Sequence, residues 1–174
     1  MDILTADLVD AHEPILQSCD VQFRQYGGRL RFHGPVRTIR TFEDNPIIKR
    51  VLSTPGEGAV LVVDGAGSLR TSLLGDFIGG LGEKSGWAGV IIWGAVRDVV
   101  GLGQLNLGIK ALGSNPLRSR KNGTGEVDVP ISFGSVTFRP GNWLYSDEDG
   151  IVVSERELAL PERSTPTTDA QRHR

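Results

Sequence analysis

The chain has 174 residues, of which 19 are basic and 21 acidic, giving a net charge of −2. An apolar fraction of 39% and a charged fraction of 23% fit a single globular domain with a real hydrophobic core. The balanced charge excludes a general electrostatic pull on nucleic acid or membrane. The longest uncharged apolar run, AGVIIWGAV, is far short of the roughly 20 residues that cross a bilayer.

The N-terminus, MDILTADLVDAHE, is acidic and lacks the basic and apolar regions of a signal peptide, so a cytoplasmic location is expected. Residues 5–11 predict a short helix with Thr5 as its N-cap. In GRLRFHGPVRTIRTF, apolar Leu30, Phe32, Val36, Ile39 and Phe42 alternate with polar residues, which predicts strands broken at Gly34-Pro35. NPIIKRVLS predicts a helix with Pro46 at its first position and Asn45 as cap. GAVLVVDG (58–65) predicts a buried strand. TSLLGDFIGGLGEKSG predicts a glycine-weakened helix carrying Leu73, Leu74, Phe77, Ile78 and Leu81 on one face. AGVIIWG and LGIKALG predict two further buried strands. From residue 126 strands and turns dominate, with reversals at 139–142 and 147–150. Residues 1–154 therefore form the single domain. Residues 155–174 are a C-terminal extension, and its last 14 residues, PERSTPTTDAQRHR, predict a disordered tail. The layout is a mixed α/β assembly, with helices covering one face of a mixed sheet.

Several chemistries are excluded by missing positions. GAGSLR (65–70) has Arg70 where a dinucleotide loop needs its third glycine, and GLGQLNLG (101–108) has Asn106 there. No G-x-x-x-x-G-K-[ST] or G-x-S-x-G occurs. Cys19 is the only cysteine, and His12, His33 and His173 lack metal-helix spacing, so neither a disulfide nor a cysteine-based zinc site is expected.

The stretch GDFIGGLGEKSGWAGVIIWGAVRDV remains. Twenty residues separate Asp76 from Arg97, and Asp98 follows at once. A five-residue strand spans about 16 Å. A helix over 76–86 covers a similar distance in the opposite direction. Asp76 and Arg97-Asp98 can therefore meet. First-turn N–H groups around Gly75 to Ile78 would then hold a carboxylate. Asp98 and Asp76 would offer hard oxygens to a Mg²⁺-like ion, and Arg97 would hold a developing enolate oxygen. The alternative is plain: Asp76 complements the helix N-terminus and Arg97 pairs with a neighbouring carboxylate. Spacing alone leaves both open.

A resemblance adds to this. The segments DLVDAHEPILQSCDVQFRQYGGRLRFHGPVRTIRTFEDN, VLVVDGAGSLRTSLLGD, GWAGVIIWGAVRDV, LGIKALGSNP and SVTFRPGNWLYSDEDGIVV together resemble the ribonuclease E activity regulator A (RraA-like) family, in order from about residue 6 to 154. That family includes metal-dependent 4-hydroxy-4-methyl-2-oxoglutarate aldolases marked by D-x20-R-D, which Asp76, Arg97 and Asp98 match. The resemblance implies a swivelling β/β/α three-layer fold and a ring-shaped homotrimer, sometimes doubled to a hexamer, with the site between subunits. It implies a 2-keto acid substrate held by Gly75, Asp76, Phe77, Ile78 and Arg97. The cofactor would be Mg²⁺ or Mn²⁺ on Asp98, with Asp76 reaching the ion through water. Catalysis would rest on Arg97 and Asp76. The activity implied is aldol cleavage to pyruvate, with oxaloacetate decarboxylation through the same enolate. Many relatives carry an acidic residue three positions after the last Asp of the motif; Gly101 stands there in this chain.

The rival reading is a non-catalytic protein that restrains an RNA-degrading endonuclease, as the family name records. Such a regulator has no need of Asp76 and Asp98, so the complete motif favours the enzyme. Blander roles suit the remaining conspicuous residues. Trp87 and Trp93 read as core or subunit-contact residues, Cys19 as a small half-buried side chain, and Asp64, Arg70 and Glu43-Asp44 as turn or ion-pair residues. RSRKNGTGE (118–126) reads as a solvated loop.

Overall fold

The computed structural model describes residues 3–160, so the expected tail at 161–174 lies outside the described residues. Helix α1 (Thr5–His12) and a 3-10 turn (Glu13–Ile15) lead into β1 (Gln17–Ser18), β2 (Arg24–Gln25) and the long β3 (Phe32–Arg40). Then come α2 (Pro46–Leu52), β4 (Val60–Asp64), β5 (Ser72–Leu74), α3 (Asp76–Lys84), β6 (Gly89–Val96), α4 (Val99–Leu102) and β7 (Gly108–Ser114). The last third holds β8 (Glu126–Val127), β9 (Ile131–Phe133), β10 (Val136–Phe138), β11 (Trp143–Ser146) and β12 (Ile151–Ser154).

The continuous apolar runs become the middle of one mixed sheet, ordered β1-β12-β11-β3-β4-β6-β7-β2, with β3, β4, β6 and β7 mutually parallel. Such runs suit strands buried on both faces. The period of two sorts their side chains. Leu61, Val63, Val90 and Ile92 face a core shared with Ile47, Ile48, Val51, Leu52 and Ile78 of the helices. Val60, Val62 and Ile91 face the opposite way, against Ile131, Phe133, Val136 and Phe138 of the β9–β10 hairpin. Helices, sheet and hairpin make the three β/β/α layers. Trp87 is buried, with its indole N–H donating to Thr54 O (3.0 Å), and Trp93 stacks on Phe133 at 5.1 Å, so both belong to the cores.

Four local expectations are corrected. Thr5 is not a cap. It is the first helical residue, and its N–H and hydroxyl both donate to the buried Asp147 carboxylate (2.7 Å each), tying α1 to the β11–β12 turn. Asn45, by contrast, is the N-cap of α2 as expected, although its side chain makes no cap bond and is used across the fold, as described below. Gly34-Pro35 does not break β3 but changes its partner. Phe32 to Pro35 pair antiparallel with β11, and Val36 onward pair parallel with β4. Leu73 and Leu74 lie on β5, paired with β6, and the helix starts only at Asp76. Phe77 does not join the apolar face but is 66% exposed.

A second polar tie lies beneath the β11–β12 turn. Lys110, only 3% exposed, donates to Asp147 O (2.6 Å) and Gly150 O (3.3 Å), and burial draws its pKa below the ordinary lysine value. Among the described residues no helix is long and apolar enough to cross a membrane.

Candidate functional site

The short β5 delivers the chain to α3 through Gly75, and β6 ends beside it. The Arg97 N–H donates to Leu74 O (2.9 Å), which fastens the carboxyl end of β6 to that of β5. Crevices outside the carboxyl ends of parallel strands are where α/β folds place ligands. At this point Asp98 adopts a left-handed backbone (φ 58°) and α4 begins. That conformation costs an L-residue on the order of 1 kcal/mol, and Asp is one of the few side chains that tolerate it. It turns the carboxylate back over the start of α3, where Asp98 Oδ2 accepts the Asp76 N–H at 3.2 Å. Arg97 Nε stands 4.0 Å from the same oxygen, and Arg97 Nη1 donates to Pro116 O (3.3 Å).

Asp76, Arg97 and Asp98 are therefore brought together around one cleft of about 210 Å³. Gly75, Phe77 and Ile78 line it as well. The side chain of Ile78 points into the helix-side core, whereas Phe77 is exposed, as are Val99 and Val100 of α4. The Gly79 N–H bonds back to Gly75 O (2.9 Å), the first closed turn of α3. The Phe77 and Ile78 N–H groups thus belong to the open first turn, whose donors are free of intrahelical acceptors.

Two glycines make room for the carboxylates. A Cβ at Gly75 would stand 2.6 Å from Asp98 Oδ2, and one at Gly101 would stand 2.6 Å from Asp76 Oδ2. Gly101 thus provides the space beside the Asp76 carboxylate. Gly75→Ala should keep the fold, since its backbone is extended, but push the Asp98 carboxylate aside. Were Asp98 to hold a Mg²⁺-type ion, a loss of about tenfold or more in its affinity would follow by titration calorimetry, with an unchanged melting temperature.

The far wall was not recognised in the sequence. Loop 115–124, which overlaps the stretch 118–126 expected to be a solvated loop, is stitched to the site. The Ser72 N–H donates to Leu117 O (2.8 Å), and the buried Ser119 hydroxyl donates to Ser72 O (2.6 Å). The Asp44 carboxylate accepts the N–H groups of Gly123 (3.1 Å) and Thr124 (2.9 Å) and the Thr124 hydroxyl (2.7 Å). Lys121 Nζ donates to Asn45 Oδ1 (2.6 Å), whose own amide donates to Leu73 O (3.2 Å). Lys49, Arg118 and Lys121 thereby line the cleft. A cap-type Asn followed at long range by a Ser- and Gly-punctuated basic loop was the only signal available.

Glu43 supports this wall. It is buried with φ 50°, accepts Ser68 Oγ (2.8 Å) and Arg70 Nε (2.6 Å), and its carbonyl accepts the Arg120 N–H (2.8 Å). The Ser68 and Arg70 donors hold its carboxyl below the ordinary glutamate pKa of 4.5. The unfolded chain therefore takes up this proton first. The stabilisation is complete above that ordinary value and is lost as pH falls below it through the folded pKa. Glu43→Gln should lower the melting temperature at pH 7 and flatten its decline between about pH 5 and 3.

Among the described residues, no group of three or more His, Cys, Asp and Glu gathers to hold an ion. Two carboxylates, each seated against a glycine, fit a Mg²⁺-type ion, which takes one or two carboxylates and fills the rest with water and substrate. They do not resemble the closed His/Cys cage of a structural zinc site.

A β/β/α-layered domain with a small charged cleft at the carboxyl ends of its parallel strands is thus defined. The chain belongs to the RraA-like (Aldolase/RraA) family, whose model matches residues 5–153. It is similar to the S-adenosylmethionine:2-dimethylmenaquinone methyltransferase of Geobacillus kaustophilus HTA426, at 44% identity over 90% of this chain and 97% of that one, with a TM-score of 0.88. It is equally similar to the RNA-processing inhibitor RraA of Thermus thermophilus, at 44% identity over 91% and 96% of the two chains, TM-score 0.88. Streptomyces coelicolor RraAS2, described as an unusual member of the RNase ES inhibitor RraA family, matches at 28% identity over 79% and 71%, TM-score 0.67.

Proposed function

We propose that this chain is a divalent-metal-dependent lyase that cleaves 4-hydroxy-4-methyl-2-oxoglutarate into two molecules of pyruvate and also decarboxylates oxaloacetate. The observation that carries the reading is the convergence of Asp76, Arg97 and Asp98 on one cleft beside the open first turn of α3. Asp98, with Asp76 through water, would hold Mg²⁺ or Mn²⁺. When bound, the ion supplies Lewis-acid polarisation of the 2-keto group. The N–H groups of Phe77 and Ile78 receive the adjacent carboxylate. Arg97, with one N–H fixed by Pro116 O, keeps the rest of its fork for the keto oxygen. The 4-hydroxyl proton would pass through a water to the Asp76 carboxylate, and the C3–C4 bond breaks. Its electron pair moves into C2–C3, leaving an enolate oxygen that Arg97 holds. Protonation at C3 then gives pyruvate, and the former C4 fragment leaves as the second pyruvate. Loss of CO₂ from oxaloacetate generates the same enolate.

Phe77 at the cleft and Val99 and Val100 of α4 are exposed apolar side chains that a ring-shaped homotrimer would bury. Pyruvate release from both substrates, with Mg²⁺ or Mn²⁺ and then with excess chelator, tests the activity. No release under any condition would reject it.

The similarity to the Thermus inhibitor favours a second reading, restraint of an RNA-degrading endonuclease. Asp98→Asn separates the two, because a regulator should still bind and restrain the nuclease after losing that carboxylate. Methyl transfer is not proposed, since neither glycine-rich stretch completes a cofactor loop.

A further inference from the structure

We propose that Arg118 and Lys121 form a second anion subsite in this cleft, which receives the distal carboxylate of a dicarboxylic 2-keto acid. The inference rests on the 2-keto acid site proposed above and assigns the end of the substrate that the D-x20-R-D residues do not touch.

Charge in the cleft is the first observation. Two carboxylates, Asp76 and Asp98, face four cations, Lys49, Arg97, Arg118 and Lys121. Asp98 lies within reach of Arg97, which leaves three cations against the single carboxylate of Asp76. Where carboxylates are near, this chain pairs its arginines, as in Arg37–Asp128 at 2.8 Å and Arg70–Glu43 at 2.6 Å. In the cleft, Lys121 Nζ meets only the neutral Asn45 amide, and Lys49 Nζ lies 5.3 Å over the Phe77 ring. The Arg118 guanidinium has no hydrogen-bond or ion-pair partner among the described residues. Arg118 and Lys121 thus line one cleft, and neither is paired with a carboxylate among the described residues.

Anchoring is the second observation, and it separates a subsite from a solvated basic loop. Arg118 forms a β-bridge with Ser72, flanked by Ser72 N–H to Leu117 O and by the buried Ser119 hydroxyl on Ser72 O. Lys121 sits between that bridge and the Asp44-bound turn at Gly123 and Thr124. The backbone that carries both cations is thus already ordered in the free protein. Ser72 precedes Asp76 by four residues, at most about 14 Å of extended chain, and Arg118 is bridged to Ser72, so Arg118 and the α3 N-terminus line the same cleft. One small molecule can span both ends. The cleft volume of about 210 Å³ is below the roughly 300–1,000 Å³ of sites for larger ligands, which suits a short diacid. The planar fork of Arg118 beside the point charge of Lys121 matches a carboxylate.

The test compares 2-oxoglutarate with 2-oxobutyrate by titration calorimetry, with and without Mg²⁺. The two ligands share the 2-keto acid end, and only the first carries a distal carboxylate. Neither has a 4-hydroxyl group, so neither can be cleaved. The ratio of their Kd values cancels whatever the shared end contributes. Wild type should prefer 2-oxoglutarate by about tenfold or more. Arg118→Ala/Lys121→Met should bring that ratio near one while leaving 2-oxobutyrate within about twofold of wild type, and Arg118→Lys should retain part of the preference. Thermal unfolding confirms that each variant is folded. Equal affinities in wild type, a preference that survives the double variant, or equal weakening of both ligands would overturn the proposal. Binding of neither ligand would overturn it together with the 2-keto acid site. An intact preference without cleavage of 4-hydroxy-4-methyl-2-oxoglutarate would support the subsite and count against the lyase reading alone.

Discussion

Arg97→Lys should lower kcat for 4-hydroxy-4-methyl-2-oxoglutarate cleavage by about 10²- to 10³-fold, roughly 3 to 4 kcal/mol, with little change in KM. The enolate oxygen gains its charge only as the bond breaks, so a donor aimed at it acts on the transition state and not on substrate binding. Arg97 is prepared for this by Pro116 O on Nη1 and by Asp98 near Nε, which fix the plane of its guanidinium. Lysine keeps the positive charge but offers a point in place of a fork and at a different reach. If Arg97 served only as the ion partner of Asp98, the same substitution would cost under about 1 kcal/mol, since both side chains are more than a third exposed. Oxaloacetate decarboxylation should fall in parallel. Steady-state kinetics on both substrates at saturating metal checks this, and a near-wild-type kcat on both would remove Arg97 from the mechanism.

Asp98→Asn should abolish turnover and weaken Mg²⁺ binding by at least tenfold, because it removes the anionic oxygen while nearly keeping the shape. The fold should persist. The side chain is partly exposed, and its one hydrogen bond among the described residues, from the Asp76 N–H at 3.2 Å, can be accepted equally by an amide oxygen. Calorimetric Mg²⁺ titration and a melting curve together separate loss of the ion from loss of structure. Full, chelator-resistant turnover in this variant would contradict a metal site on Asp98.

The centre of this site was legible because it depends on local lengths. A helix of α3 size and a strand of β6 size return the chain to one level, so Asp76 and Arg97-Asp98 could be placed together from spacing. The buried parallel strands were legible for a similar reason, as uninterrupted apolar runs. Features governed by distant partners were not. Leu73 and Leu74 read equally well as helix or strand, and pairing of β5 with the end of β6 decides for strand. Gly34-Pro35 looks like a break, and only the arrival of Trp143 and Leu144 from more than a hundred residues away keeps the strand continuous. Loop 115–124 has no periodicity at all. Its order comes from Ser72, Glu43 and Asp44, so its cations could not be assigned to the cleft without the tertiary structure.

Stabilisation of a pyruvate enolate is the central claim, and exchange of the pyruvate methyl protons in D₂O measures it without reference to any larger substrate. With protein and Mg²⁺, the methyl resonance of pyruvate should decay as deuterium enters at C3. The decay should stop with excess chelator and be nearly lost in Arg97→Lys. Pyruvate that binds the metal-loaded protein yet exchanges no faster than in buffer would contradict the account.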